Sequence, residues 1–161
     1  MCEQGHVPPR WMQGREGNVG FDRSITGHST TMNTELYTAT VSATATGVTS
    51  DDGVLSLGVR EPQQLGGPGE RTNPEQLMAA ALSSCLVESL RIALGTVGGS
   101  VDDLAVKGKV VLTDSDASGY DAKFSLAVSL PGTDNPEAIL AQATSICPFL
   151  KVIDGVDVVL E

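Results

Sequence analysis

From Glu35 the chain alternates between small polar and apolar residues, "ELYTATVSATAT", with a high share of β-branched side chains. That period of two predicts a strand over 35–46. "TSDDG" at 49–53 then reads as a turn into a second strand, "VLSLGVR" at 54–60, and the two make a hairpin. "EPQQLGGPGERTNPEQ" is a Gly/Pro loop that ends in a helix start: Asn73 is a suitable N-cap, Pro74 a suitable first helical residue, and Glu75 places negative charge in the first turn. The helix should run from about Pro74 to Leu94, stopped by Gly95, Gly98 and Gly99. Its apolar residues cover most of its circumference, which predicts burial in a core or against a partner.

The second half repeats this plan. "LAVKGKVVLTD" and "YDAKFSLAVSLPG" are two strands joined by a polar turn, and "DNPEAILAQATSIC" opens a second helix on another Asn-Pro-Glu. "VDVVLE" is a short last strand. The fold class is therefore α+β, with antiparallel strands packed on two long helices. No Gly-rich loop stands at a strand-to-helix junction, so no nucleotide cofactor is expected.

Residues 1–31 follow neither period and are read as a disordered N-terminal extension ahead of a single domain over 32–161. Their charges sum to zero, and the rest of the chain carries the whole net charge of −10. An acidic domain is a poor match for nucleic-acid phosphates. With 161 residues, a mean hydropathy of +0.03 and no apolar run judged to approach the ~20 residues of a bilayer span, no membrane is expected either. No secretory signal is recognised at the start, so the expected location is cytoplasmic.

Candidate chemistry lies in the cysteines. Cys85 stands twelve residues beyond Asn73 and Cys147 twelve beyond Asn135, so both thiols ride at the same height on their helices. If those helices pack side by side, the two sulfurs approach one another. Pro148 disfavours the α conformation at Cys147, which puts that thiol where its helix ends. The folded part contains no histidine, so neither a metal site nor Cys-His catalysis is expected. A transient redox disulfide suits a reducing compartment better than a permanent one.

The stretches "LYTATVSATAT", "LGGPGERTNPEQLMAAALSSC" and "SICPFLKVIDGVDVVLE" resemble the organic hydroperoxide resistance (Ohr) proteins of the OsmC/Ohr superfamily. The resemblance implies an intertwined homodimer whose active sites draw on both chains. It implies that Cys85 is the peroxidatic thiol, that Cys147 resolves it, and that Glu75 holds an arginine beside the reactive sulfur. It implies organic or fatty-acid hydroperoxides as substrates and a dihydrolipoyl group on a lipoylated protein as external reductant, with no bound cofactor. The family's arginine belongs to a Gly-Gly-Arg loop between the first two strands, where this chain reads "TATGVTSDDG" without a basic residue. Arg71, just before Glu75, is the expected substitute; its alternative is an exposed loop charge. Arg91 is six residues past Cys85 and faces elsewhere. The missing arginine keeps a second reading open: a non-catalytic relative that binds a hydrophobic ligand or senses oxidants.

Overall fold

The computed structural model describes residues 34–114 and 119–161. Close contacts divide the chain between Thr38 and Ala39, and everything below concerns the unit Ala39–Glu161. The proposed extension over 1–31 lies outside the described residues.

The first expected hairpin is a three-stranded antiparallel sheet. β1 (Val41–Thr44) turns after Thr44 into β2 (Gly47–Ser50), which pairs in turn with β3 (Ser56–Gly58). The single strand expected over 35–46 is thus shorter and is followed at once by a second one. Gly47 permits this: a Cβ there would stand 2.5 Å from the Leu57 carbonyl oxygen on β3. The turn into β3 is held by Asp52, whose carboxylate accepts from the Ser50 hydroxyl at 2.5 Å and from the Val54 N–H at 3.0 Å. Beyond β3, Val59 forms an isolated parallel bridge with Thr72, and the Arg60 N–H donates to the Thr72 carbonyl at 2.9 Å. The end of this sheet is thereby clamped to the residue before the first helix cap.

α1 spans Pro74–Val97. Asn73 caps it, its side-chain oxygen accepting from the Gln76 N–H at 2.8 Å. Gly95 does not stop it; Gly98 does, in the left-handed conformation with φ 67°. Leu82, Leu86, Leu90 and Leu94 recur every fourth residue and are all buried. A second sheet, ordered β4-β5-β6, covers them. β4 (Ala105–Asp114) pairs antiparallel with β5 (Tyr120–Ser129), and β6 (Val156–Leu160) adds to β5 in parallel. α1 packs closely on β4 because Gly108 has no side chain; a Cβ there would sit 2.7 Å from the Ala79 carbonyl oxygen.

α2 (Pro136–Ile146) packs beside α1 and contributes Ile139 and Ala143 to the core, and a short α3 (Pro148–Val152) follows without having been expected. β5 and the residue after it add Leu126, Val128 and Leu130. The sequence expectation that no run is apolar enough to span a bilayer needs correction. By length and composition α1 would suffice, with a mean hydropathy of 1.6 over its most apolar window. Its buried leucine row, with Glu88 and Arg91 exposed, shows where that apolarity goes in this fold.

Candidate functional site

The two helices bring the cysteines together. Cys85 Sγ and Cys147 Sγ lie 3.5 Å apart, 62 residues distant in sequence. Equal offsets from two equivalent caps produce this: Asn135 caps α2 as Asn73 caps α1, accepting from the Ala138 N–H at 3.2 Å. The thiols differ in access. Cys147 is fully buried at the junction of α2 and α3, where its backbone leaves the helical region (φ −64°, ψ 115°) ahead of Pro148. Cys85 is half-buried in the middle of α1 and remains reachable. Both are free thiols.

Burial pushes the Cys85 thiol above its ordinary value. A backbone N–H of Phe149, on α3, donates toward the sulfur and works the other way, while the Cys147 thiol adds to the upward push. Within one chain the balance favours the neutral thiol. The dithiol is poised in geometry, and among the described residues no basic side chain lowers the Cys85 thiol.

Glu75 stands apart from the cysteines. Ten residues of helix separate it from Cys85, about 15 Å along the axis. Its carboxylate borders a different cleft of about 360 Å³ between the first sheet and the start of α1, lined by Ala45, Arg60, Leu112 and Tyr120 among others. There Glu75 Oε2 is buried and meets no hydrogen-bond donor. Arg71 does not line that cleft. It is exposed, its stem lies against Gly58, and it borders a shallow depression with Leu57 and Gln76. The clamp at Thr72 turns the preceding residue toward β3 rather than toward Glu75. Arg91 pairs with Glu88 at 3.8 Å on the exposed side of α1. Sequence reasoning counts Arg60 with Arg71 and Arg91 as the arginines after Met32 and prefers Arg71; only the long-range bridge to Thr72 carries Arg60 to the helix start. Among the described residues no group of three or more His, Cys, Asp or Glu is arranged to hold a metal ion.

The sequence profile of the OsmC-like protein family matches residues 67–161. The chain belongs to the OsmC family. Among its relatives, the organic hydroperoxide resistance protein OhrA of Bacillus subtilis is 34% identical over 141 residues, covering 81% of this chain and 98% of the relative. The organic hydroperoxide resistance protein of Xanthomonas axonopodis pv. citri is 32% identical over 139 residues, 78% of this chain and 93% of the relative. Among solved structures, an organic hydroperoxide resistance protein OsmC from Legionella pneumophila superposes with a TM-score of 0.69 at 30% identity, over 79% of this chain and 97% of that one. These likenesses put the chain close to the Ohr branch of the OsmC family, and its α+β fold is the one shared by these neighbours.

Proposed function

We propose that this OsmC-family chain is a thiol-dependent peroxidase that reduces organic hydroperoxides to alcohols. The observation that carries the reading is the free thiol pair at 3.5 Å with one reachable member and one buried member. The difference in access supports taking Cys85 as the attacking thiol and Cys147 as the resolving one. Cys85, as thiolate, attacks one oxygen of the hydroperoxide; a sulfur–oxygen bond forms, the oxygen–oxygen bond breaks, and the alkoxide leaves as an alcohol after taking a proton. The Cys85 sulfenic acid is then attacked by Cys147, which releases water and leaves a Cys85–Cys147 disulfide. An external dithiol of the dihydrolipoyl type, carried on a lipoylated protein in a reducing cytoplasm, reopens the disulfide by exchange and is itself oxidised. Apolar residues around the pair favour organic and fatty-acid hydroperoxides over hydrogen peroxide.

The reading includes a homodimer. Among the described residues, all the fully buried apolar side chains fall between Leu82 and Cys147, and none of the residues of the first sheet is buried. A second copy laid on that sheet supplies the cover it lacks. The raised Cys85 thiol favours one competing reading, a relative that binds a hydrophobic ligand or senses oxidants without turnover.

Titration of the reduced protein with cumene hydroperoxide, then with hydrogen peroxide, separates the two. A peroxidase loses two thiols per equivalent of organic hydroperoxide, Cys85→Ser abolishes the reaction, and Cys147→Ser halts it at a Cys85 sulfenic acid that a dimedone probe captures. Slow thiol loss, equal for both peroxides and unchanged in Cys85→Ser, overturns the assignment.

A further inference from the structure

Positive charge is scarce in this chain, with 10 Lys and Arg against 20 Asp and Glu, and only Lys107, Lys109, Lys123 and Lys151 among them are lysines. The first three stand together. β4 and β5 pair Lys107 with Ala127, Lys109 with Ser125 and Val111 with Lys123, so the three lysines project from one side of the second sheet. That side is the outward one, because Gly108 between the first two faces α1, where a Cβ would meet Ala79. All three are exposed. Ammonium groups at neighbouring positions on one face repel each other, and the chain has acids enough to offset this. Yet among the described residues no carboxylate lies within ion-pair distance of any of the three, and the ion pair that does form is Arg91 with Glu88 on α1. Asp121 and Asp157 share the outward face, one at the end of β5 and one on β6, and pair with none of the lysines. The cluster contributes nothing to the fold, which points to a use outside it.

The face is flat and carries Val111 and Val159, 37% and 54% exposed, beside the lysines. Small ligands need concave sites, so a flat face suits a macromolecule. A broad anionic plane such as a bilayer would also meet the rest of a chain of net charge −10, whereas a compact protein meets the lysines alone. We propose that the outward face of β4 and β5, through Lys107, Lys109 and Lys123, docks an acidic protein that carries the dithiol reductant. This rests on the peroxidase reading, in which that carrier is the one macromolecule besides a second copy of the chain. The face lies one layer from the thiols: Gly108 abuts α1 at Ala79 and Ser83, and Ser83 is two residues before Cys85. A dithiol on a flexible arm spans one layer, and docking of its carrier raises its concentration around the disulfide. One carrier thiolate attacks a sulfur of the Cys85–Cys147 disulfide, and the second carrier thiol displaces it by closing the carrier's own disulfide. Two electrons and two protons end on Cys85 and Cys147.

The test compares two reductants of the oxidised full chain: a lipoylated carrier domain of net negative charge in its dihydrolipoyl form, and free dihydrolipoamide, which is uncharged. Lys107→Gln/Lys109→Gln/Lys123→Gln is expected to slow the carrier about tenfold at low salt, to flatten its salt dependence, and to leave the reaction with free dihydrolipoamide unchanged. Lys107→Arg/Lys109→Arg/Lys123→Arg keeps the charge and should keep the wild-type rate. Lys109→Gln alone keeps the question answerable if the triple glutamine variant folds poorly: it should slow the carrier, whereas Arg91→Gln, the same change of charge on α1, should not. Equal slowing by Lys109→Gln and Arg91→Gln, or no slowing in the triple glutamine variant, overturns the docking face. Phosphatidylglycerol vesicles that bind the wild type but not that variant, with the carrier rate unmoved, overturn the protein partner in favour of a lipid surface. If both reductants are inert, the dithiol reductant of the peroxidase reading falls; fluorescence anisotropy of a labelled carrier needs no electron transfer and still decides the docking.

Discussion

On the proposed peroxidase reading, Cys85 carries two opposed demands. It must be buried enough to meet Cys147 and a greasy peroxide, yet ionised enough to attack. Burial dominates within one chain, so the folded state holds the proton of Cys85 more tightly than the unfolded chain does. The sign of the linkage follows: stability is fully present below the unfolded value and is lost as pH rises through the raised folded one. Urea denaturation of the reduced protein is expected to lose stability above the ordinary cysteine value of 9.0. Cys85→Ser should remove part of that loss, and the difference between the two proteins isolates the contribution of Cys85. Identical alkaline limbs would mean that the thiol is not held neutral by burial.

At the scale of elements, α1 carries core leucines, the Cys85 thiol and the Glu75 wall of the cleft at its start. Leu90→Ala removes a fully buried side chain from the middle of its leucine row and is expected to cost about 2–5 kcal/mol, measured by urea denaturation of the reduced protein. Asn73→Ala deletes only the cap and should cost about 1 kcal/mol. Both helices were legible in the sequence because Asn-Pro-Glu states a start in local chemistry, and the equal offset of the two cysteines survived into their 3.5 Å approach. β4 and β5 were legible for a similar reason: β4 alternates exposed and half-buried residues along most of its length. The β1–β2 turn was not. Thr44, Ala45 and Thr46 differ too little in polarity to interrupt the alternation, and the need for Gly47 comes from β3, farther along the chain. The parallel placement of β6 and the position of Arg60 were hidden likewise, since each is set by a partner distant in sequence. Arg71 stands nearer to Glu75 in sequence, yet Arg60 is the arginine that lines the Glu75 cleft.

The whole molecule divides its apolar residues unevenly. α1, β5 and α2 enclose a core with several fully buried leucines, while the first sheet leaves Val41 and Leu57 at 49% and 43% exposure and the turn before β3 leaves Val54 at 88%. A three-stranded sheet of strands three or four residues long gains little stability by itself, and it is tied to the rest mainly through Val59, Arg60 and Thr72. If a second copy covers it, folding and association are linked, and the thermal midpoint of the reduced protein must rise with protein concentration. Leu57→Asp places a charge in the proposed seam, where an unpaired carboxylate is costly, while touching none of the buried residues of the main core. It is expected to shift the protein from dimer to monomer in size-exclusion chromatography with light scattering and to lower the midpoint. A dimer that survives Leu57→Asp with its midpoint intact would put the seam elsewhere. A wild-type chain that stays monomeric at every concentration would leave Cys85 with only the groups of its own chain, and the raised thiol would then describe the working protein.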